Sequence, residues 1–145
     1  MLFSEAHGRA VMDLGTAETV GTVSACTVTP SPARVAGFRL KTRGRGHHTL
    51  EWEDIESFGS DEVAVDGPAR IRDEKGIEPD RPSHAVHDPL GKPVLTESGA
   101  RHGTVVDVEF DEKSGRVGHL LTAEGQISGE ELLGVGSYAV VVADR

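Results

Sequence analysis

The sequence predicts an all-β protein made of two small β-barrels in tandem, packed about a pseudo-two-fold axis. Three observations predict it: the chain repeats itself, its apolar residues recur with a period of two, and its turn-forming residues leave room only for short strands. The phrase "LEWEDIESFGSDEVAV" (50–65) returns, degraded, as "ISGEELLGVGSYAVVV" (127–142). Gly8 falls on Gly91 and Val11 on Val94, 83 residues on. After a one-residue adjustment, Gly21-Thr22-Val23 falls on Gly103-Thr104-Val105, Arg34-Val35 on Arg116-Val117 and Phe38 on Leu120, 82 residues on. A longer loop in the first copy then reduces the offset to 77, and Glu53-Asp54-Ile55 meets Glu130-Glu131-Leu132. The repeat gives two units, 1–66 and 88–145, joined by a Pro-rich linker, 67–87, that contains Pro68, Pro79 and Pro82.

The elements follow in order. In "VVDVEF" the period of two places Val106, Val108 and Phe110 inward and Asp107 and Glu109 in water, which predicts a half-buried strand. The matching stretch places Ser24, Cys26 and Val28 inward. "FDEKSGRV" turns at Ser114-Gly115, where glycine can take a positive φ, and "TPSPARV" turns the first copy. The strand from Val117 to Thr122 pairs back as a hairpin. "WEDI" and "EELL" are long enough for a single helical turn, and Ser128 and Glu131 have capping-box spacing for it. A last strand covers Glu62 to Val65 in one copy and Tyr138 to Val142 in the other. Pro removes backbone donors, so the linker predicts nothing longer than a turn. So many short strands in units this small need curling to hide their edges.

Composition narrows the function. The chain has 145 residues and a formal net charge of −9, with 15 basic and 24 acidic residues. That balance argues against nucleic acid and anionic membranes as partners and leaves an acidic protein partner to any local basic patch. A lone cysteine, Cys26, permits no internal disulfide, which fits a reducing cytoplasm. "MLFSEAHGRAVMD" lacks the basic start and long apolar run of a signal peptide, and no stretch is apolar for the length of a membrane span.

The run "GKPV…G…HGTVVDVEFDEKSGRVGHL", with its closing "WEDI" and "GSDEVAV", resembles the PRC-barrel domain family. The resemblance covers about 1–66 and 88–143. It implies a barrel fold and a non-enzymatic protein-interaction or assembly module, and it supplies no catalytic residues, cofactors or metal ligands. Members occur in the photosynthetic reaction-centre H subunit and in a ribosome-maturation factor, so RNA-processing or ribosome-associated assembly is the alternative function.

The candidate partner-binding residues are Arg39, Lys41, Arg43, Arg45, His47, His48 and Trp52. The four basic residues stand at every second position of "RLKTRGRGHH", so an extended strand puts them on one face, with Phe38 and Leu40 on the other. The second copy has Leu121, Ala123 and Gly125 there, so the fold does not require the charges. Their competing role is a solvated edge face partly paired with Glu51 and Glu53. Trp52 competes between ring packing and partner anchoring; the second copy has Gly129 in its place. A metal- or ligand-binding protein using surface His is a second alternative. Yet His47 and His48 point to opposite faces of a strand, and His84 and His87 lie in the linker without thiolate or carboxylate partners at zinc spacing. Cys26 reads as a small buried hydrophobe rather than a nucleophile. Monomer and homodimer both remain open.

Overall fold

The computed structural model describes residues 1–30, 32–43, 48–73 and 84–144. Strands form where apolar residues alternate, and glycine or proline ends them. A one-turn helix α1 (Phe3–Ala6) leads into β1 (Ala10–Asp13), β2 (Glu18–Thr29), β3 (Arg34–Lys41) and β4 (His48–Glu51). A 3-10 turn, Trp52–Asp54, precedes β5 (Ile55–Phe58) and β6 (Glu62–Val65). Between the copies lie a 3-10 turn, Pro68–Arg70, the two-residue strand β7 (Arg72–Asp73) and a second 3-10 turn, Ala85–His87. The second copy runs β8 (Pro93–Thr96), β9 (Arg101–Phe110), β10 (Val117–Thr122), β11 (Gly125–Ser128), a 3-10 turn at Gly129–Glu131, β12 (Leu132–Val135) and β13 (Val140–Val142).

The copies build two sheets of the same topology. One has the order β5-β6-β1-β2-β3-β4-β7 and the other β12-β13-β8-β9-β10-β11, so among the described residues β7 is the one addition. β1 pairs with β6, and β8 with β13, in parallel; their neighbours are antiparallel. Even the irregularities repeat. Val23 pairs with Leu40 and Ala25 with Arg39, skipping Ser24; Val105 pairs with Thr122 and Asp107 with Leu121, skipping Val106. A second bulge skips Ala36 in β3 and Gly118 in β10. The two barrel-like units are therefore copies in register as well as in sequence.

The bulges correct the simple alternation. Val106 is 60% exposed, whereas Val105 and Asp107 are buried. An extra residue in one strand shifts every side chain before it to the other face. Val105, Val108 and Phe110 therefore face the core, and in β2 Val23, Cys26 and Val28 do so, with Ser24 only half-buried. Beyond the bulge Gly115 takes φ +77°, as the turn requires. The Asp111 carboxylate accepts from the Lys113 N–H at 2.7 Å and the Ser114 N–H at 3.3 Å, and these bonds hold its pKa below the ordinary value. Tyr138, placed in the last strand by its sequence, is exposed in the bend before β13.

The units interlock. α1 packs on β9 of the second unit, and the Ala85–His87 turn packs on β2 of the first. The Phe110 N–H donates to the Met1 carbonyl (2.8 Å), and the Ser4 N–H donates to Asp107 Oδ1 (3.0 Å). At the centre Arg34 bridges Arg116, its counterpart 82 residues on, so the pseudo-two-fold axis passes between them. The flanking bonds obey the same symmetry: Val35 N–H to the Gly115 carbonyl at 2.7 Å and Val117 N–H to the Ala33 carbonyl at 2.9 Å.

One hydrophobic core draws on both sheets. At its heart Phe38 meets Phe3, Trp52, Phe58 and Phe110 at centroid distances of 6.2, 6.1, 5.7 and 6.3 Å. Phe38→Ala removes this hub and lowers stability by about 3–5 kcal/mol. Because the core is common, calorimetry of the variant and of the unsubstituted chain shows one transition each; two resolved transitions would mean that each unit melts alone.

Candidate functional site

The basic strip of the sequence divides in the structure. β3 lies between β2 and β4, so its face is not a sheet edge. Phe38 and Leu40 are fully buried in register with Leu50 and His48, while Arg39 and Lys41 share the outer face. Arg39 is half-buried, and Asp88, in the segment after the Ala85–His87 turn, lies close enough to interact with it electrostatically. Lys41 and Arg43 are exposed. His48 is half-buried, with Nδ1 3.2 Å from Thr42 Oγ1. Arg45 and His47 lie outside the described residues.

Lys41, Arg43 and His48 line a groove of about 650 Å³ together with the apolar Val20, Pro68 and Ile71 and with Thr19, Gly21, Thr22 and Thr42. Pro68 and Ile71 come from the Pro-rich stretch, where no periodicity marks an inward side and sequence reasoning could not place them in a groove. In the second copy Ala123 and Gly125 replace Lys41 and Arg43. The groove thus combines apolar residues, which an apolar side chain can cover, with exposed cations on a protein that is otherwise acidic.

Trp52 lies elsewhere, in the core cluster. It stacks on Phe58 at 6.0 Å and meets Phe110 edge-on at 6.1 Å. Its indole rests on Gly115 of the other unit, where a Cβ would come within 2.8 Å of Cε2. At the counterpart position, Gly129, a Cβ would instead collide with the Val117 carbonyl of its own unit. The tryptophan is therefore a half-buried wedge between the units, with one edge lining a cleft beside Glu56 and Lys113.

Asp88, Lys92 and Cys26, three groups with displaced pKa values, are gathered around the lead-in to the second unit. Burial raises the Asp88 pKa, opposed by the Leu90 N–H at 3.0 Å and by the charges of Lys92 and Arg39. Burial lowers the Lys92 pKa, opposed by Asp88. Both partners are pushed toward neutrality, so desolvation outweighs their attraction. Lys92 Nζ donates to the Val86 carbonyl at 2.8 Å, pinning the turn that covers β2. In the same turn His84 Nδ1 accepts from the Val86 N–H (3.2 Å), and His87 Nδ1 lies 3.1 Å from the Val135 carbonyl. These bonds fold the lead-in on itself and onto β12, while its packing on β2 and the Asp88–Arg39 attraction tie it to the first unit. Cys26 is fully buried, its thiol pKa raised by desolvation and by the Asp88 and Asp107 charges, which opposes thiolate formation. Asp13 is buried and accepts from the Gly15 N–H (2.9 Å), Thr16 Oγ1 (3.2 Å) and the Gly67 N–H (3.2 Å). Among the described residues no three His, Cys, Asp or Glu side chains are grouped to hold a metal ion, and no helix is long and apolar enough to cross a membrane.

Two curled sheets of one topology, sharing a core and presenting a cationic groove, define a tandem small-barrel protein. Residues 82–145, the second unit, match the model of the PRC-barrel domain. The first unit repeats its strand order and both of its β9–β10 bulges. The family points to a protein-interaction module. No curated protein matches the chain.

Two substitutions probe the junction. Trp52→Ala empties the wedge and lowers stability by about 3 kcal/mol in denaturant titration. Asp88→Asn acts with pH. A folded pKa above the ordinary 3.8 makes the ionised carboxylate a cost at neutral pH, relieved as pH falls through the raised value. The variant therefore melts higher than the unsubstituted chain near pH 7, and the difference fades by pH 3.8. A melting curve unchanged at pH 7 would contradict the direction of the shift.

Proposed function

We propose that the protein is a non-enzymatic interaction module that seats an acidic segment of a partner protein in the groove bordered by Lys41, Arg43 and His48. The observation that carries this reading is that exposed Lys41 and Arg43 line one groove with the apolar Val20, Pro68 and Ile71, on a chain of net charge −9. Complementary charge steers encounter and selects against wrong partners, while the apolar residues supply buried area. The second unit lacks both cations at the corresponding positions, so packing of the fold does not account for them. The match of the second unit to the PRC-barrel domain, an interaction module, supports the same class of role, and a cytoplasmic setting suits the single buried thiol. Ribosome-associated RNA binding gains less support: Phe38 and Trp52, the aromatics that flank the strip in sequence, are both engaged in the core cluster, and strand binding to RNA draws on stacking rings.

The test uses the full chain as bait in cells that contain it, alongside Lys41→Glu/Arg43→Glu. Captured proteins are identified by mass spectrometry and re-assayed in purified form. The double reversal weakens binding of the captured acidic partner about tenfold, and the unsubstituted pair weakens as salt rises. Identical capture by both proteins would reject the groove. Salt-sensitive binding of purified single-stranded RNA, lost in the same variant, would move the assignment to nucleic acid.

A further inference from the structure

The pseudo-two-fold axis carries a site that belongs to neither unit alone. The bonds around the Arg34–Arg116 bridge run between the flanking residues, from the Val35 N–H to Gly115 and from the Val117 N–H to Ala33. This makes the two arginines a non-hydrogen-bonded pair. Such pairs bring their Cα atoms to about 4.5 Å, with both side chains standing together on one face. Ala33, Val35, Gly115 and Val117 are buried and the two arginines are exposed, so both guanidinium groups leave the sheet on its solvent side.

Like charges set directly opposite each other destabilise a strand pair. Among the described residues neither arginine side chain has an ion pair or hydrogen bond to a carboxylate. Glu130 borders two of the clefts that Arg116 borders, but it is not in ion-pair contact with it. The chain has nine more acidic than basic residues, yet it places two cations side by side at its centre. A bound anion removes the repulsion.

We propose that Arg34 and Arg116 together bind a phosphoryl dianion. Each guanidinium offers a fork of parallel N–H donors, and two forks across a dyad present two donor pairs to opposite sides of one ligand. A tetrahedral oxyanion can turn two oxygens to each side, and two positive charges meet the near-dianionic charge of a phosphate monoester at pH 7. A single carboxylate fills one fork and leaves the other cation opposed. The ligand is inorganic phosphate or a small phosphate monoester. The proposal does not rest on the partner-binding groove, since it uses other residues and a different ligand.

Isothermal titration of the full chain tests it, at ionic strength held constant with chloride. Inorganic phosphate binds saturably at one site per chain, and acetate does not. Arg34→Gln and Arg116→Gln each weaken binding about tenfold and by similar amounts, because the pair is symmetric. Phenyl phosphate forms the second arm. If it binds as well as phosphate, the site takes monoesters; if it is refused while phosphate binds, the free ion is the ligand. Amide shifts of the unsubstituted protein, which need no variant, concentrate at Arg34 and Arg116 on adding phosphate. The proposal is overturned by the absence of saturable phosphate binding, by equal binding of acetate, by an Arg34→Gln/Arg116→Gln protein that binds as the unsubstituted chain does, or by amide shifts centred elsewhere.

Discussion

The packing of Phe38 against rings from both copies is the contact on which the rest of the architecture depends. A sheet of about sixty residues buries too little apolar surface to stand comfortably alone. This chain has six aromatic residues, and five of them, Phe3, Phe38, Trp52, Phe58 and Phe110, meet in one cluster where the copies join. Arg9 closes one side of the cluster, its guanidinium carbon 5.0 Å from the Phe58 centroid while Nη1 donates to the Gly59 carbonyl. Each half therefore supplies part of the interior of the other.

Duplication alone would have produced matching junctions on both sides of the axis, and the structure departs from that in a specific way. Trp52 fits on one side because Gly115 offers a surface without a side chain. On the other side the backbone comes so close to Val117 that only glycine fits at position 129, beside Ala33. The outer faces have diverged too. Asp107 bonds α1 to β9, whereas its counterpart Ala25 has no polar group to offer, and there Lys92, Asp88 and Arg39 gather around the covering turn. The two copies use the same backbone ladder with different means of fastening their covers.

Much of the fold was legible because the repeat offsets translate into register. The pairing of Cys26 with Phe38 reappears as Val108 with Leu120, and both 3-10 turns fall on the acidic phrases. The facing of Val106 was not legible. A bulge leaves no mark in a run of valines, so strict alternation placed it inward and Asp107 outward, the reverse of what forms. The candidate surface was legible at Lys41 and Arg43, where chain and water alone decide exposure. Local pattern did not show the partial burial of Arg39 or its neighbour Asp88, nor the seat of Trp52 on Gly115, which is a contact between copies. Local pattern reports the sheet surface; it is silent on what another part of the chain lays over that surface.

The crossed lead-ins have a bearing on how the molecule is made. Phe3 finds its stacking partner in the first copy, but the strand that receives α1 ends at Phe110. During synthesis the first sheet can be drawn together while its leading segment still has no strand to lie on. Closing a connection of that length is slow, and until it closes an apolar ring stays in water. A nascent chain of this kind completes its first half last.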